Sequence, residues 1–461
     1  MRTTTTTSLL PAAAAALIGL VGCAATVEPP ARPEVGVPTS WSVATPPAQA
    51  RDDAWWHDFG SPELDAYVAT ALQANPDVRA TAARVQQARS LLGGAEAERR
   101  PQLGLEAGAS RGRQTAADAH SEALSVGLRA RWEADLFGAQ GLAVTAATSD
   151  AESAALALSA TQVALAADVA TVYFEAHVLA RREAAADESI GALEQQLKAV
   201  RLRFAAGQLT RLDIDRLEAE LAQERGNRLQ LQGARQTRLR QLGLLIGAPQ
   251  QATPLYADAQ AWKAAPPPTL LPAELLERRP DVQREARALD AAAARLGIAR
   301  RDLYPRLAVE WAGRRERLAV EGVSMAPATV VAYGVSLTLP LLDGGRIRAN
   351  IAVHEARTQE AMAVYEKALL AALADAETAL LQWQSAESTL SEMQRALDAA
   401  TQAEQRSQRL FDAGLVTVDT VLDVRRSRLR AQDGLFQAQG ARWAASIGVR
   451  RAFAGGVPRP A

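Results

Sequence analysis

The side chains able to do chemistry are few and scattered. The chain has one cysteine, Cys23, and four histidines, His57, His120, His177 and His354, and no two of the five share a local cluster. A zinc-type site needs several such ligands at short spacing, and a Cys/His nucleophile pair needs both residue types available to the fold. With no metal set, no catalytic nucleophile and no phosphate-cradling loop, neither a metal nor a catalytic residue is assigned, and the chain reads as something other than an enzyme. Lys plus Arg number 51 against 52 Asp plus Glu, a formal net charge of −1. Without a basic excess, a nucleic-acid partner is not expected.

Cys23 is the residue with a specific chemistry. It ends a segment that opens Met1-Arg2, continues through a Thr run and holds an apolar stretch from Leu9 to Val21, the pattern of a secretory signal. Leu20-Val21-Gly22-Cys23 places small residues before a cysteine, matching the bacterial lipobox. A lone cysteine in an exported chain has no disulfide partner, whereas acylation would make it the mature N-terminus, and several acyl chains anchor stably where one does not. The expected non-protein group is therefore the covalent N-acyl and diacylglycerol lipid on Cys23, with no other cofactor. Ala24, in place of an inner-membrane-retaining aspartate, directs the expectation to the outer membrane. The alternative is that Cys23 is only a small residue of the signal. Past it, no run of about 18 uninterrupted apolar residues marks a membrane-spanning helix.

The remaining elements are written twice. Pro76-Asp77-Val78 answers Pro280-Asp281-Val282 and Pro101 answers Pro305, both at an offset of 204. Leu136-Phe137-Gly138 is matched to Leu342-Asp343-Gly344 at 206, and Phe204-Ala205-Ala206-Gly207 to Phe411-Asp412-Ala413-Gly414 at 207. Landmarks in one order at a nearly constant offset indicate internal duplication. Each copy opens with a helix of about 20 residues that a proline ends. Two alternating stretches follow, Leu103 to Ala109 and Leu124 to Trp132, then Leu307 to Trp311 and Val331 to Leu339. Alternation with period two predicts strands with unlike faces, and a length of about ten residues suits strands of a membrane barrel as well as a soluble hairpin.

After each strand pair the chain becomes helical for an unusual distance. Leu158, Leu165, Val172, Leu179, Ala186, Leu193 and Val200 recur every seven residues, and Val169, Ala176, Ile190, Leu197 and Phe204 fill the complementary positions, with Gln162 and Glu183 as polar exceptions. That repeat predicts a left-handed coiled-coil seam. The helix is expected to start near Gly138 and turn back at Gly207, its partner to run from about Leu212 to Ile246, and the second copy to turn at Gly414. Glycine permits the backbone reversal.

The boundaries that follow are a signal peptide at 1–22, a Pro/Ala/Thr-rich lipidated tether at 23–54, and a first repeat at 55–250. A linker occupies 251–274, the second repeat 275–455 and a tail 456–461. Trp55 and Trp56 are expected to be core or interface anchors, and Arg99-Arg100 and Arg300-Arg301 solvated helix ends.

These residues resemble the TolC/OprM outer-membrane efflux channel family, in its NodT-type lipoprotein branch. The resemblance rests on Trp55-Trp56-His57-Asp58-Phe59-Gly60-Ser61-Pro62-Glu63-Leu64, on the paired openings Asn75-Pro76-Asp77-Val78 and Arg279-Pro280-Asp281-Val282, and on Trp132-Glu133-Ala134-Asp135-Leu136-Phe137-Gly138. It implies a mainly α chain with a transmembrane β-barrel. Three chains would each give four strands to a twelve-stranded barrel and long helices to a periplasmic coiled-coil tunnel. Sheet edges left open in hydrocarbon are not tolerated, which gives a physical reason for the homotrimer. Implied partners are a periplasmic adaptor, an inner-membrane efflux pump of the RND type and outer-membrane lipids.

By the same resemblance, Gly207, Gln208, Leu209 and Thr210 and their counterparts Gly414, Leu415, Val416 and Thr417 are adaptor-contacting turns. Asp423 and Asp213 belong to the pore constriction, and Thr420 stands where TolC carries a further acid. Rings of charge select ions in pores. Two plain helix caps and solvated surface carboxylates are the alternatives from the residues alone. At the level of the whole chain the alternatives are a type I protein-secretion duct and a coiled-coil scaffold lipoprotein without a pore, the latter having no need of four membrane-length strands.

Overall fold

The computed structural model describes residues 32–33, 35–43, 54–114, 119–248 and 270–453. The signal peptide, Cys23, most of the tether, positions 251–269 of the linker and the tail at 456–461 lie outside the described residues. The described chain forms two compact units, and each draws residues from both sequence repeats.

The first unit takes its residues from Arg84–Ala155 and Arg284–Lys367. At its centre is an antiparallel sheet of β1 (Gln102–Gln114), β2 (Ala119–Ala134), β3 (Arg306–Val320) and β5 (Ala328–Thr338), hydrogen-bonded in the order β1-β2-β3-β5. A two-residue strand absent from the sequence expectation, β4 (Val323–Ser324), folds back on the end of β3. The four long strands have 11 to 16 residues, longer than the alternation alone suggests, because polar residues continue each strand beyond its apolar stretch.

Register fixes what each face carries, since residues opposite one another in a ladder point the same way. Leu105 stands opposite Leu128, Ala130 opposite Trp311, and Trp311 opposite Tyr333. One face is therefore an apolar band, and its members from Leu103 and Leu105 through Leu128 to Tyr333 and Val335 are exposed. The opposite face carries ion pairs, Arg129 with Glu106 at 3.2 Å and Arg314 with Glu316 at 2.9 Å. An apolar outside and a polar inside is the division a barrel wall in lipid requires. Gly127 lies opposite Arg314 with no room for a Cβ, which would collide with that residue's backbone.

The duplication corrects one sequence match. Helix α3 (Ala139–Ala205) and helix α7 (Arg346–Asp412) both have 67 residues, and their first and last residues are both 207 apart. The β1–β2 and β3–β5 ladders likewise require 207 between β2 and β5, so that apolar Ala130 corresponds to apolar Leu337. The offset steps once from 204 to 207, by three residues, inside the second hairpin, which also holds β4 and its turn. An offset of 206 would put corresponding side chains on opposite faces.

At the strand-to-helix junction, Phe137 stacks on Tyr304 with centroids 5.0 Å apart, and its carbonyl accepts a hydrogen bond from Arg301 at 3.2 Å. Arg300 bonds Glu355 at 2.9 Å. This pair of arginines is therefore more than a solvated helix end, because neighbouring elements of the unit supply partners.

The second unit, from Val35–Ala83, Leu156–Gln283 and Ala368–Ala461, is helical. Its main core packs the 3-10 turn Trp55–Phe59 and helix α1 (Pro62–Ala74) against the middle of α3 and against Trp443 of helix α8 (Val418–Phe453). Phe174 stacks on Trp443 at 5.1 Å and touches Phe59 at 4.9 Å. Trp55 and Trp56 are buried there as anchors, and each such side chain contributes about 1.5–3 kcal/mol by leaving water.

α3 also contains a stretch long and apolar enough to cross a membrane by composition alone. Its apolar residues Leu165, Val169 and Val172 belong to this core. The heptad positions from Leu165 to Val200 are largely buried, with Leu179 and Ile190 half-buried. Buried Glu183 is held by Arg235 at 2.9 Å, which satisfies the polar break in the seam. Phe204 departs from the pattern and is exposed, because the helix is already ending there.

Candidate functional site

The two helix reversals are built alike, down to their hydrogen bonds. At the first, between α3 and helix α4 (Arg211–Leu245), Gly207 N–H donates to Phe204 O at 2.9 Å and Gln208 N–H to Arg203 O at 2.9 Å. At the second, Gly414 donates to Phe411 at 2.8 Å and Leu415 to Leu410 at 2.8 Å. This double closure is the Schellman arrangement, which needs its central residue in the left-handed region. Gly207 has φ +72° and Gly414 +71°. A side chain at either position would cost about 1–2 kcal/mol.

The reversal leaves Gln208, Thr210, Leu415 and Thr417 exposed, while Leu209 leans onto the cluster of Leu193, Leu197, Val200, Ile214, Leu217 and Leu221, and Val416 is half-buried. Leu209 thus acts as a local packing residue. The turn surface available to a partner consists of one amide, two threonines and an exposed leucine, identically placed on two quasi-equivalent tips.

The carboxylates are less alike than the turns. Asp213 accepts from Thr210 N–H at 2.9 Å and from the Thr210 hydroxyl at 2.7 Å, closing a capping box on α4. Those hydrogen bonds hold its carboxyl below the usual range. At the equivalent position of the second turn Thr420 shares a contact between hydroxyls with Thr417 at 3.3 Å, so that cap lacks an acid. Asp213 is thus engaged in capping the start of α4.

Asp423 is exposed on α8 and ion-paired with Arg426 one turn on. Arg426 also reaches Glu220 of α4, making a triad of two acids and one base across the two helices. Burial works against the guanidinium's charge, but its bonds to Asp423 and the pull of Glu220 outweigh it and raise its pKa further. Nearer the turn, Asp419 pairs with Arg203 of α3. Sequence reasoning named the acid but missed Arg426, Arg203 and Glu220. The i, i+3 spacing of Asp423 and Arg426 was the available signal.

Comparison with known proteins agrees with this architecture. The outer membrane efflux protein family model matches residues 68–248 and 271–455, and the chain belongs to that family. It is 30% identical over 460 residues to the pyoverdine export outer membrane protein OpmQ of Pseudomonas aeruginosa, covering 95% of each chain. To the probable outer membrane lipoprotein SilC of Salmonella typhimurium it is 25% identical over 453 residues, covering 95% of this chain and 96% of that one. The solved outer-membrane channel OprN superposes with a TM-score of 0.76 at 27% identity, over 92% of this chain and 99% of that one. The protein is an outer-membrane efflux channel with the TolC-like fold, and its family is one of channels rather than enzymes.

Proposed function

We propose that the protein is the lipid-anchored, trimeric exit duct of a tripartite system in which an inner-membrane pump of the RND type and a periplasmic adaptor deliver small molecules to it. The observation that carries this reading is the open four-strand wall, apolar on one face and ion-paired on the other, continuous with 67-residue helices. Such helices are about 100 Å long, far more than a compact domain uses. Edges β1 and β5 have no further partner strand among the described residues, and hydrocarbon does not tolerate free edges, so three copies close a twelve-stranded barrel. Acylation of Cys23 is supported by the lipobox and by the relative described as a lipoprotein. The exposed Gln208, Thr210, Leu415 and Thr417 of the two tips are the adaptor contacts, with Leu209 and Val416 supporting them from beneath, and the Asp423–Arg426–Glu220 triads of three chains line the constriction.

The test is export itself. A cell lacking its own outer-membrane channel, supplied with this protein, its neighbouring pump and its adaptor, regains efflux of a fluorescent pump substrate. Omission of any one component abolishes it. Purified protein that is monomeric by mass photometry and silent in planar bilayers would overturn the reading.

A further inference from the structure

On β3 the lipid-facing positions run Leu307, Val309, Trp311, Gly313 and then, unexpectedly for that face, Arg315 and Arg317. Both arginines are exposed, and neither has an ion pair or hydrogen bond among the described residues. They do not stand on a bare wall. In the ladder Arg315 is opposite Val126, which is opposite Ala107, and Arg317 is opposite Leu124, which is opposite Ala109. The two alanines on β1 leave the wall low there. The result is an outward furrow of about 440 Å³ lined by Leu124 and Val126 and, on one side, by the two arginines and Pro327, with Glu316 between the arginines drawn to the opposite face by its ion pair with Arg314. Arg111, on the same face one row nearer the hairpin, pairs with Glu122 at 3.1 Å.

From this juxtaposition we infer a binding site for a phosphate-bearing lipid of the outer leaflet, its acyl chain lying along Leu124 and Val126 and its phosphate between Arg315 and Arg317. Charge complementarity selects this occupant. An arginine on a lipid-facing strand is tolerated near the interface and costly deeper in, and both arginines lie in the hairpin half of the strand. The hairpins are at the end of the sheet opposite its junctions with the helices, hence at the cell-surface leaflet when the helices are periplasmic. A guanidinium fork binds phosphate oxygens in a bidentate manner, and two side by side exceed what any neutral headgroup can use. Trimer closure consumes the sheet's edges and leaves this face open, so the inference rests on the duct reading above.

The test titrates full-length protein in detergent with bisphosphorylated lipid A, and separately with a neutral glycolipid of matched acyl length, and counts retained lipids by native mass spectrometry. Wild type is expected to hold the phosphorylated lipid, up to one per chain, at least tenfold more tightly than the neutral one. Arg315→Gln with Arg317→Gln should remove that preference, whereas Arg315→Lys with Arg317→Lys should keep most of it. Arg314→Gln, on the opposite face of the same strand, should leave it intact. Equal retention of both lipids by wild type, or undiminished binding by the glutamine pair, overturns the site. The same spectra report oligomeric state. An intact trimer without lipid refutes this site alone, while a monomer refutes the duct reading. Should the glutamine pair fail to assemble, the wild-type comparison of the two lipids still decides the matter.

Discussion

The duplication allows the contact between neighbouring chains to be written residue by residue. In the β2–β3 ladder, Arg129 is opposite Ala312. Moving the β2 member forward by 207 and the β3 member back by 204 gives the quasi-equivalent pair at the trimer seam, Ser336 of one chain opposite Gly108 of the next. Directly opposed residues have Cα atoms about 4.5–5.5 Å apart, inside the range of about 4.4–6.8 Å that a disulfide spans. Pairing Ser336 with Ser110 instead displaces one partner by two residues, to about 7–8 Å, and disfavours a bridge. A one-residue slip is excluded, because it would set lumen-facing side chains against lipid-facing ones. The perturbation is Ser336→Cys with Gly108→Cys, and a Cβ at Gly108 meets only the Ser125 hydroxyl at an ordinary 3.5 Å. Oxidation with copper phenanthroline and a non-reducing gel should show a covalent trimer, since each chain gives one cysteine to each of two seams. The control Ser336→Cys with Ser110→Cys should stay monomeric on the gel. If the control cross-links and the predicted pair does not, the quasi-equivalence argument fails.

Four further outcomes follow from the site and its support. Intact-mass analysis of the N-terminal peptide should find Cys23 acylated and the preceding 22 residues gone, and an unmodified Cys23 would remove the lipid anchor while leaving the barrel. Gly414→Ala should cost about 1–2 kcal/mol by forcing a side chain into the left-handed region, lowering the thermal midpoint and adaptor affinity, whereas Gly440→Ala, which meets Val178 at 2.9 Å, should lower stability without touching adaptor binding. His177 is pushed down to about 4 from 6.5 by burial, with Arg181 adding to the effect. The unfolded chain therefore binds a proton between those pH values that the folded one does not, and stability falls as pH drops from 6.5 to 4, by up to about 3 kcal/mol. His177→Gln should flatten that part of the pH–stability curve, and an unchanged curve would refute the assignment. At the tip, Asp423→Ala removes one negative charge per chain and should weaken cation preference in planar bilayers, while Arg426→Ala bares Asp423 and Glu220 and should strengthen it. Shifts of the same sign in both variants would contradict the triad.

What the sequence disclosed, and what it hid, follows from the range of the interactions involved. The helix reversals at Gly207 and Gly414 were readable because a left-handed backbone position is a local demand that selects its residue type. The apolar faces of the four strands were readable because period-two alternation survives whatever the partner strand is. The offset between copies is not readable from the chain at the second junction, because the cap acid moves relative to the glycine. Asp135 bonds Gln140 N–H at 3.0 Å and Gly141 N–H at 2.7 Å, whereas Asp343 bonds Gly345 at 2.9 Å and Ile347 at 2.7 Å. Leu-Phe-Gly and Leu-Asp-Gly agree in letters, but only the ladder register decides which residues correspond.

The same limit governs the carboxylates. Their positions could be named from the chain, but whether each works as a free charge depends on what stands across from it. Asp213 is taken by Thr210 three residues away, and Asp423 by Arg426, whose other hand holds Glu220 some 200 residues distant in sequence. In the trimeric duct proposed above, each triad would therefore bring a net single negative charge to the constriction rather than two. What the chain itself shows at the tip is a set of cross-helix clasps, Arg426 to Glu220 and Arg203 to Asp419. To widen the duct, α4 and α8 must either move as one pair or break the Arg426–Glu220 bond, and a charge change at Arg426 acts on both possibilities at once.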